Sequence, residues 1–215
     1  MVEVPDTLPA RMYLLAYDLR KQKLTARGPQ LGYVLRAAAL TELFLDGRLE
    51  ERRGRPVPGT PGEDPYGVLA QISASRPRSW QHWVRKDSRA FVRTVRDELV
   101  RDGWIRVRGR RRLGLFPYEE VTVRDPRVVK DLWGGASSAL RGRPVAHVNS
   151  YDAAAVALAA AGELKSVLPG PERRRHKQRI KELTARSGPA PVAARKALRS
   201  QRAAMASGAA SGSGS

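Results

Sequence analysis

The sequence contains no cysteine, which excludes a disulfide framework, a cysteine-based zinc site and a cysteine nucleophile. Aromatic residues make up only 6% of the chain, so a core must be built mainly from leucine, valine and alanine. No apolar run approaches the ~20 residues that span a bilayer, and the N-terminal segment lacks the basic and then apolar pattern of a secretion signal. We therefore expect a cytoplasmic protein that is either free or peripheral to a membrane.

Acidic residues are scarce relative to basic ones, 21 against 40, and the formal net charge is +19. Of the basic residues, 32 are arginine, whose planar guanidinium binds phosphate through two hydrogen bonds. A coding sequence rich in G and C also favours arginine, but it accounts less well for the net charge. Charge of this size is informative about partners rather than about the fold. It indicates an anionic partner, either nucleic acid or acidic lipid.

The sequence also lacks the motifs of the common catalytic and metal sites. It contains no P-loop and no GxGxxG, HExxH or GxSxG pattern. The three histidines, His82, His147 and His176, lie far apart and have no partners at the spacing of metal ligands. We therefore expect a binding module that is not an enzyme and that needs neither a metal nor a cofactor.

Hydrophobic periodicity predicts a mostly α-helical, single globular domain. The clearest helix covers residues 31–46, where apolar residues recur at helical spacing and Gly47 stands at the position of a C-terminal cap. Residues 11–20 are apolar and fit either a short helix or a strand. The segment 53–65 is rich in proline and glycine, which predicts a mobile loop. We expect further helices over residues 66–75, 79–103, 126–142, 151–165 and 171–186.

One of these predicted helices, residues 79–103, carries a basic stripe. Arg85, Arg89 and Arg93 follow one another at intervals of four, and Arg96 comes three residues later. A glycine ends the segment, as expected for a helix C-terminus. The stripe therefore presents a row of guanidinium groups immediately before the next element of the chain.

The pattern of residues 104–116 predicts a projecting β-hairpin, because apolar residues and arginines alternate in the segment before Gly109. We expect Gly109 to supply the turn. The end of this hairpin combines cations with apolar side chains. The cations are Arg110, Arg111 and Arg112, and the apolar residues are Leu115 and Phe116. Three interpretations are open. The end is a wing that binds nucleic acid, a tip that enters a membrane interface while its arginines hold the headgroups, or an ordinary hairpin whose apolar residues pack on the core.

The order of these motifs resembles the Golgi phosphoprotein 3 family, and the composition resembles a bacterial member of the actinobacterial type. The matching segments are LPARMYLLAYD at residues 8–18, LGYVLRAAALTELFLDGRLE at 31–50, RPRSWQHWVR at 76–85, TVRDELVRDGWI at 94–105 and ERRRHKQRIKEL at 172–183. The resemblance implies one mostly α-helical domain over residues 8–186 with one projecting β-hairpin. The basic and then Ala-, Ser- and Gly-rich composition of residues 187–215 predicts a largely disordered tail.

The resemblance also implies a function, which is peripheral binding to the inner face of a membrane through the headgroup of phosphatidylinositol 4-phosphate. It places one headgroup-binding arginine at Arg36 and two more, three residues apart, among Arg89, Arg93 and Arg96. Where the family has a tryptophan in this pocket the sequence has Arg27, which can contact phosphate but offers no aromatic platform. The hairpin of the family contacts the membrane and takes part in self-association, and we expect the same of this hairpin.

The expected partner is therefore an anionic membrane lipid, either phosphatidylinositol 4-phosphate or an acidic bacterial lipid. The sequence identifies no protein partner apart from the expected self-association. A winged-helix-like nucleic-acid-binding protein is the alternative, because a basic helix followed by a basic hairpin is also the pattern of that fold. A lipid-binding protein would have its arginine pocket and the hairpin end on one face. A nucleic-acid-binding protein would expose base-reading side chains beside its wing.

Overall fold

The structure is a computed structural model that describes residues 2–26, 28–112, 116–142 and 144–211. The described chain is mostly α-helical and carries three small antiparallel hairpins, where the sequence had suggested one. The helices are α1 (Leu8–Leu15), α2 (Gly28–Leu45), α3 (Val68–Ser73), α4 (Trp80–Arg85), α5 (Ser88–Arg101), α6 (Pro126–Arg141), α7 (Ser150–Gly162), α8 (Gly170–Arg175), α9 (Lys177–Arg186) and α10 (Ala190–Ser211). The strands pair in the order β1 (Tyr17–Asp18) with β2 (Lys23–Leu24), β3 (Leu49–Arg52) with β4 (Arg55–Pro58), and β5 (Ile105–Arg112) with β6 (Phe116–Val123). A short 3-10 helix covers Val145–His147.

Two glycines end helices where the sequence predicted it. Gly47 follows α2 with φ +70°, and the Arg48 N–H donates to the Leu43 carbonyl at 2.8 Å. Gly103 follows α5 with φ +81°, and the Trp104 N–H donates to the Leu99 carbonyl at 2.9 Å in the same way. Glycine adopts this left-handed conformation without steric cost, which is why it caps helices in this way. The helix predicted over residues 31–46 is confirmed as the larger part of α2.

The single helix predicted over residues 79–103 is wrong, because the chain forms two helices, α4 and α5, with a bend at Asp87. Asp87 adopts a left-handed conformation with φ +50°, and the bend brings Ser88 against Gly32 of α2. The approach is close, since a Cβ at position 32 would lie 2.6 Å from the Ser88 carbonyl oxygen. The basic stripe is therefore divided, with Arg85 on α4 and its other members on α5.

Three further expectations about local structure are wrong. Residues 53–65 are not a loop throughout, because part of the segment forms β4. Its prolines are tolerated there since each strand of a two-stranded sheet is an edge strand. Gly109 lies within β5, where it pairs with a residue of β6, rather than in the turn of the hairpin. The helix predicted over residues 171–186 is interrupted at His176, between α8 and α9.

The core is centred on α2 and α7, each of which buries well over half of its residues. The helices α1, α5 and α10 pack on α2, and α6, α9 and α10 pack on α7. The alanine-rich sequence of α7 allows these neighbours to approach closely. The helices α4 and α5 also bury an apolar stripe, whose members are Trp80, Val84, Phe91, Val95 and Leu99.

The helix α10 shows that the domain extends beyond residue 186. The expectation of a largely disordered tail over residues 187–215 is wrong for residues 190–211, which form this helix and pack against α2, α4 and α7. Its buried face consists of Ala190, Ala193, Ala194, Ala197 and Leu198. Small residues at helical spacing form a narrow face that composition alone does not reveal.

Glu42 of α2 connects three helices through its carboxylate. The Tyr151 hydroxyl of α7 donates to Oε1 at 3.0 Å, and the Leu8 N–H of α1 donates to Oε2 at 3.3 Å. Burial raises the pKa of Glu42, and the two hydrogen bonds oppose this rise. Between the ordinary pKa and the raised one, the folded protein holds a proton that the unfolded chain has released.

This proton predicts a pH dependence of stability. The contribution of Glu42 is complete below the ordinary glutamate pKa of about 4.3 and is lost as the pH rises through the higher folded value. Glu42→Gln stays uncharged, so we expect its unfolding free energy relative to wild type to rise from about pH 4 upward and to level off once the pH has passed the raised pKa. Urea denaturation at several pH values measures this difference, and a difference independent of pH would contradict the prediction.

Candidate anionic-ligand site

The hairpin formed by β5 and β6 is anchored to the helical core at its base. Ile105 of β5 pairs with Val123 of β6, and both side chains are buried. Further along β5, Arg106 and Arg108 are exposed to solvent. The hairpin predicted from the sequence is therefore confirmed, with exposed arginines close to its base.

The end of the hairpin carries the residues that were predicted to contact a membrane. Arg110, Arg111 and Arg112 lie in β5, and Arg112 pairs with Phe116 at the start of β6. For both of these strand ends the description is limited to the backbone, and Leu115 lies outside the described residues. The interpretation of this end as a membrane tip therefore stays a prediction.

Arg96 connects α5 to the hairpin. Its guanidinium forms ion pairs with Asp97, at 2.9 Å between Nη2 and Oδ1, and with Glu119 of β6. Burial would lower the pKa of Arg96, but the hydrogen bond to Asp97 and the charge of Glu119 raise it. Burial raises the pKa of Tyr13 to about 12, and the positive charge of Arg96 opposes that rise. Arg96 is thus one member of the predicted stripe that contacts the hairpin.

A cleft of about 740 Å³ opens beside Arg96, between the middle of the β5–β6 hairpin, α5, the β1–β2 turn and the start of α2. We call it the hairpin cleft, and the residues that matter for its chemistry are Tyr13, Lys21, Lys23, Gly28, Arg96, Glu119 and Glu120. The start of α2 adds backbone N–H groups that have no partner within the helix. Arg27, the predicted headgroup residue that precedes Gly28, lies outside the described residues.

Arg89 and Arg93 are exposed on α5, on the same side of the helix as Arg96. Neither forms an ion pair with another residue in the part of the chain that the structure describes. Both are therefore available to an anionic partner, although they do not line the hairpin cleft. Arg85 is exposed as well, but it lies on α4 beyond the bend.

Arg36 of α2, the first predicted headgroup residue, is buried with 1% of its surface exposed. Its Nε donates to the Trp83 carbonyl at 3.2 Å and its Nη2 donates to Oε1 of Gln71 at 3.4 Å. The guanidinium carbon lies 5.1 Å from the centre of the Phe91 ring. Burial lowers the pKa of Arg36 to about 10, so the group is still charged at neutral pH.

The partners of Arg36 differ from the expectation that a carboxylate or an anion would face it. Among the described residues Arg36 forms no ion pair, and the neutral oxygens of Trp83 and Gln71 accept its hydrogen bonds instead. Trp83 lies near the end of α4, where carbonyl groups lack partners within the helix. Arg36 therefore closes this end of α4, and it does not line the hairpin cleft with Arg96.

This arrangement predicts a structural role for Arg36. Arg36→Lys keeps the buried charge but removes the planar fork, so we expect the unfolding free energy to fall by about 1–3 kcal/mol because buried oxygens lose their donors. Urea denaturation measures the loss, and the exposed Arg89→Lys serves as the control with an expected change within ~0.5 kcal/mol. If Arg36→Lys leaves stability unchanged but abolishes binding to acidic vesicles, Arg36 is a headgroup residue and this prediction is wrong.

Two residues of the cleft were not found by sequence reasoning. Lys21 and Lys23 stand in a segment that looked like an ordinary basic loop, and nothing local distinguishes them from other exposed lysines. The available signal was the turn formed by Asp18, whose carboxylate accepts hydrogen bonds from the N–H groups of Arg20 and Lys21. Such a turn reverses the chain and places both lysines beside the hairpin.

Compared with known protein families, the sequence matches Golgi phosphoprotein 3 (GPP34) over residues 8–201. The chain belongs to the Golgi phosphoprotein 3 family. No match is found among curated proteins. The family match begins with α1 and ends inside α10, so it includes both the hairpin and most of the last helix.

Membership of the Golgi phosphoprotein 3 family fits lipid binding in general. In the part of the chain that the structure describes, no helix combines the length and the apolar character needed to cross a bilayer. Two features of this member favour the binding of an anionic ligand. They are the net charge of +19 and the cationic side chains of the hairpin cleft.

Proposed function

We propose that this member of the Golgi phosphoprotein 3 family is a peripheral membrane protein that binds the anionic headgroups of phospholipids. The observation that supports this most strongly is the hairpin cleft, where Arg96, Lys21 and Lys23 stand beside the middle of an arginine-bearing hairpin. A headgroup that enters the cleft meets a guanidinium and two ammonium groups, together with the carboxylates of Glu119 and Glu120, while the hairpin follows the membrane surface.

An anion can enter this cleft by exchanging with the carboxylates that hold Arg96. The side chains of Asp97 and Glu119 are more than half exposed, at 66% and 58%, so water solvates them once a phosphate has taken their place. A phosphate offers the guanidinium two parallel hydrogen bonds. Lys21 has only a long, exposed ion pair with Asp18, at 3.9 Å, and such pairs contribute little. The lysines are therefore available to the headgroup at small cost.

The proposed lipid is phosphatidylinositol 4-phosphate, which the family resemblance implies, or an acidic bacterial lipid. Arg89 and Arg93 extend the basic surface along α5. At the hairpin end, residues 110–112 would hold headgroups while Leu115 and Phe116 enter the interface. Self-association through the hairpin stays a prediction.

Nucleic-acid binding rests on the same cations, but the acidic residues favour a lipid headgroup. Asp97 and Glu119 flank Arg96, so a continuous phosphate backbone laid across α5 would meet both carboxylates. A single headgroup needs only the cleft, where it displaces Glu119 but does not meet Asp97, which does not line the cleft. The exposed positions between the arginines of α5 include Ala90 and Thr94, which offer few of the groups that read base edges.

Co-sedimentation with vesicles tests the proposed site. In wild type we expect binding to vesicles that contain acidic lipid and none to vesicles of neutral phosphatidylcholine. Each basic residue near an acidic surface contributes about 1 kcal/mol, so Lys21→Gln with Lys23→Gln should weaken binding about 25-fold at low salt. The control is Lys177→Gln with Lys181→Gln, which makes the same change of charge on exposed positions of α9. Equal losses in the two double variants would show that binding depends on net charge and not on the cleft.

A further inference from the structure

A second cavity, of about 520 Å³, lies between the end of α1, α6, α7 and the segment that leads into α8. We call it the α6 cavity, and it shares no lining residue with the hairpin cleft. Its floor is apolar and buried, and is formed by Leu15, Val129, Ala136, Leu140, Val156 and Leu168. Its volume lies within the range of ~300–1,000 Å³ that is typical of small-molecule sites.

Trp133 of α6 stands at the rim of this cavity with 45% of its surface exposed. Trp80 and Trp83, by contrast, are buried in the core, and Trp104 is half-buried. A large aromatic side chain left in water beside an apolar floor gains free energy when a ligand covers it. The floor and Trp133 therefore indicate a ligand with an apolar part.

The rest of the rim is basic. Arg20, Lys130 and Lys165 are exposed, and their side chains form no hydrogen bond or ion pair within the described chain. Arg141 is also on the rim and is paired with Glu172, at 2.8 Å between Nη2 and Oε2. The three unpaired cations indicate that the ligand also carries negative charge.

We infer that the α6 cavity binds a free, single-chain amphiphile with an anionic head, of the class of a fatty acid or a monoalkyl phosphate. The alkyl chain lies on the apolar floor beneath Trp133, and the head lies at the rim among Arg20, Lys130 and Lys165. A bare anion would leave the floor wet, and a neutral amphiphile would leave the cations without a partner. Asp18, the other acid of the rim, is already engaged by two backbone N–H groups. This inference does not depend on the headgroup site proposed above.

Tryptophan fluorescence of the full chain tests this inference, with dodecyl phosphate as the probe below its micelle concentration. We expect a saturable blue shift of the emission, because the alkyl chain covers Trp133. Dodecyl maltoside, which has the same chain and a neutral head, should bind about ten-fold more weakly, and inorganic phosphate should cause no shift. Trp133→Phe should abolish the shift while calorimetry still detects binding.

Variants separate the head from the chain. Lys130→Gln with Lys165→Gln should weaken the binding of dodecyl phosphate about ten-fold and leave dodecyl maltoside unchanged. Lys177→Gln with Lys181→Gln makes the same change of charge away from the cavity and should have no effect. Ser137→Phe fills the cavity from its half-buried wall and should abolish binding of both amphiphiles, with denaturation confirming that the variant is folded.

Several results would overturn the inference. The cavity takes no amphiphile if dodecyl phosphate produces neither a fluorescence shift nor heat of binding. If the maltoside binds as tightly as the phosphate, the rim does not select an anion. If a folded Ser137→Phe binds as well as wild type, or if the control pair loses as much affinity as the rim pair, the ligand lies elsewhere.

Discussion

Replacing Arg110, Arg111 and Arg112 together by glutamine should weaken binding to acidic vesicles by about two orders of magnitude at low salt. Each arginine near an acidic membrane surface contributes about 1 kcal/mol, and every 1.4 kcal/mol is a factor of about ten in affinity. Because this attraction is screened within about 10 Å at 0.1 M salt, the difference between variant and wild type should shrink as salt is added. Co-sedimentation over a salt series measures both effects.

The chain offers a matched control in a different hairpin. Arg52, Arg53 and Arg55 surround the turn between β3 and β4, and their side chains are exposed. Replacing these three by glutamine changes the net charge by the same amount, and we expect less than a ten-fold loss of vesicle binding. If both triple variants lose affinity equally, the end of the β5–β6 hairpin has no special part in membrane contact.

Phe116 should behave in the opposite way with respect to salt. A phenylalanine side chain that leaves water contributes about 1.5–3 kcal/mol, and salt does not screen this contribution. Phe116→Ser should therefore remove a larger fraction of the total free energy of vesicle binding at high salt than at low salt. If Phe116→Ser instead unfolds the protein and leaves high-salt binding of the folded fraction unchanged, Phe116 belongs to the core.

Truncation after Gly188 should abolish cooperative folding. This change removes α10, whose buried residues Ala190, Ala194 and Leu198 pack among α2, α4 and α7. Their loss also exposes the faces of the three helices that they cover. The cost is comparable with the ~5–15 kcal/mol that stabilises a domain of ordinary size. Urea denaturation followed by circular dichroism should therefore show a broad transition without a folded baseline.

A shorter truncation tests whether the effect comes from these contacts. Cutting the chain after Met205 keeps the buried face of α10 and removes only residues that follow it. Met205 itself is 63% exposed, so we expect the unfolding free energy to change by less than ~0.5 kcal/mol. A protein truncated after Gly188 that still unfolds in one sharp transition would show that α10 is dispensable.

Local signals were sufficient to predict several elements of the fold. Gly47 and Gly103 mark helix ends because only a residue that tolerates a left-handed conformation fits there, and this preference is written in the sequence. The β5–β6 hairpin was predicted from alternation of apolar and basic residues, which is equally local. The position of the turn was not predicted correctly, because a glycine such as Gly109 is compatible with the middle of a strand as well as with a turn.

Features that depend on tertiary contacts were not predicted. The bend at Asp87 exists because Ser88 packs against Gly32, more than fifty residues earlier in the chain. The role of α10 depends on a groove that α2, α4 and α7 form together. Neither the groove nor the contact leaves a periodic pattern that a single sequence reveals, and the alanines of α10 resemble low-complexity sequence.

The candidate site shows the same division. The composition and the resemblance both predicted that arginines would bind an anion. Neither predicted the environment of each arginine. Arg36 is enclosed by residues from α3, α4 and α5, whereas Arg96 lies against the hairpin. Lys21 and Lys23 become part of the cleft only because the β1–β2 turn folds toward the middle of the hairpin.

Vesicle co-sedimentation and a DNA shift assay, run in parallel at one salt concentration, test the central claim most directly. Matched salt is essential because both affinities fall as salt rises. We expect wild type to bind acidic vesicles at physiological salt while its affinity for duplex DNA is at least ten-fold weaker. We also expect Lys21→Gln with Lys23→Gln to reduce only vesicle binding. DNA binding that is tighter than vesicle binding, and that the cleft variant weakens equally, would contradict the assignment as a lipid-binding protein.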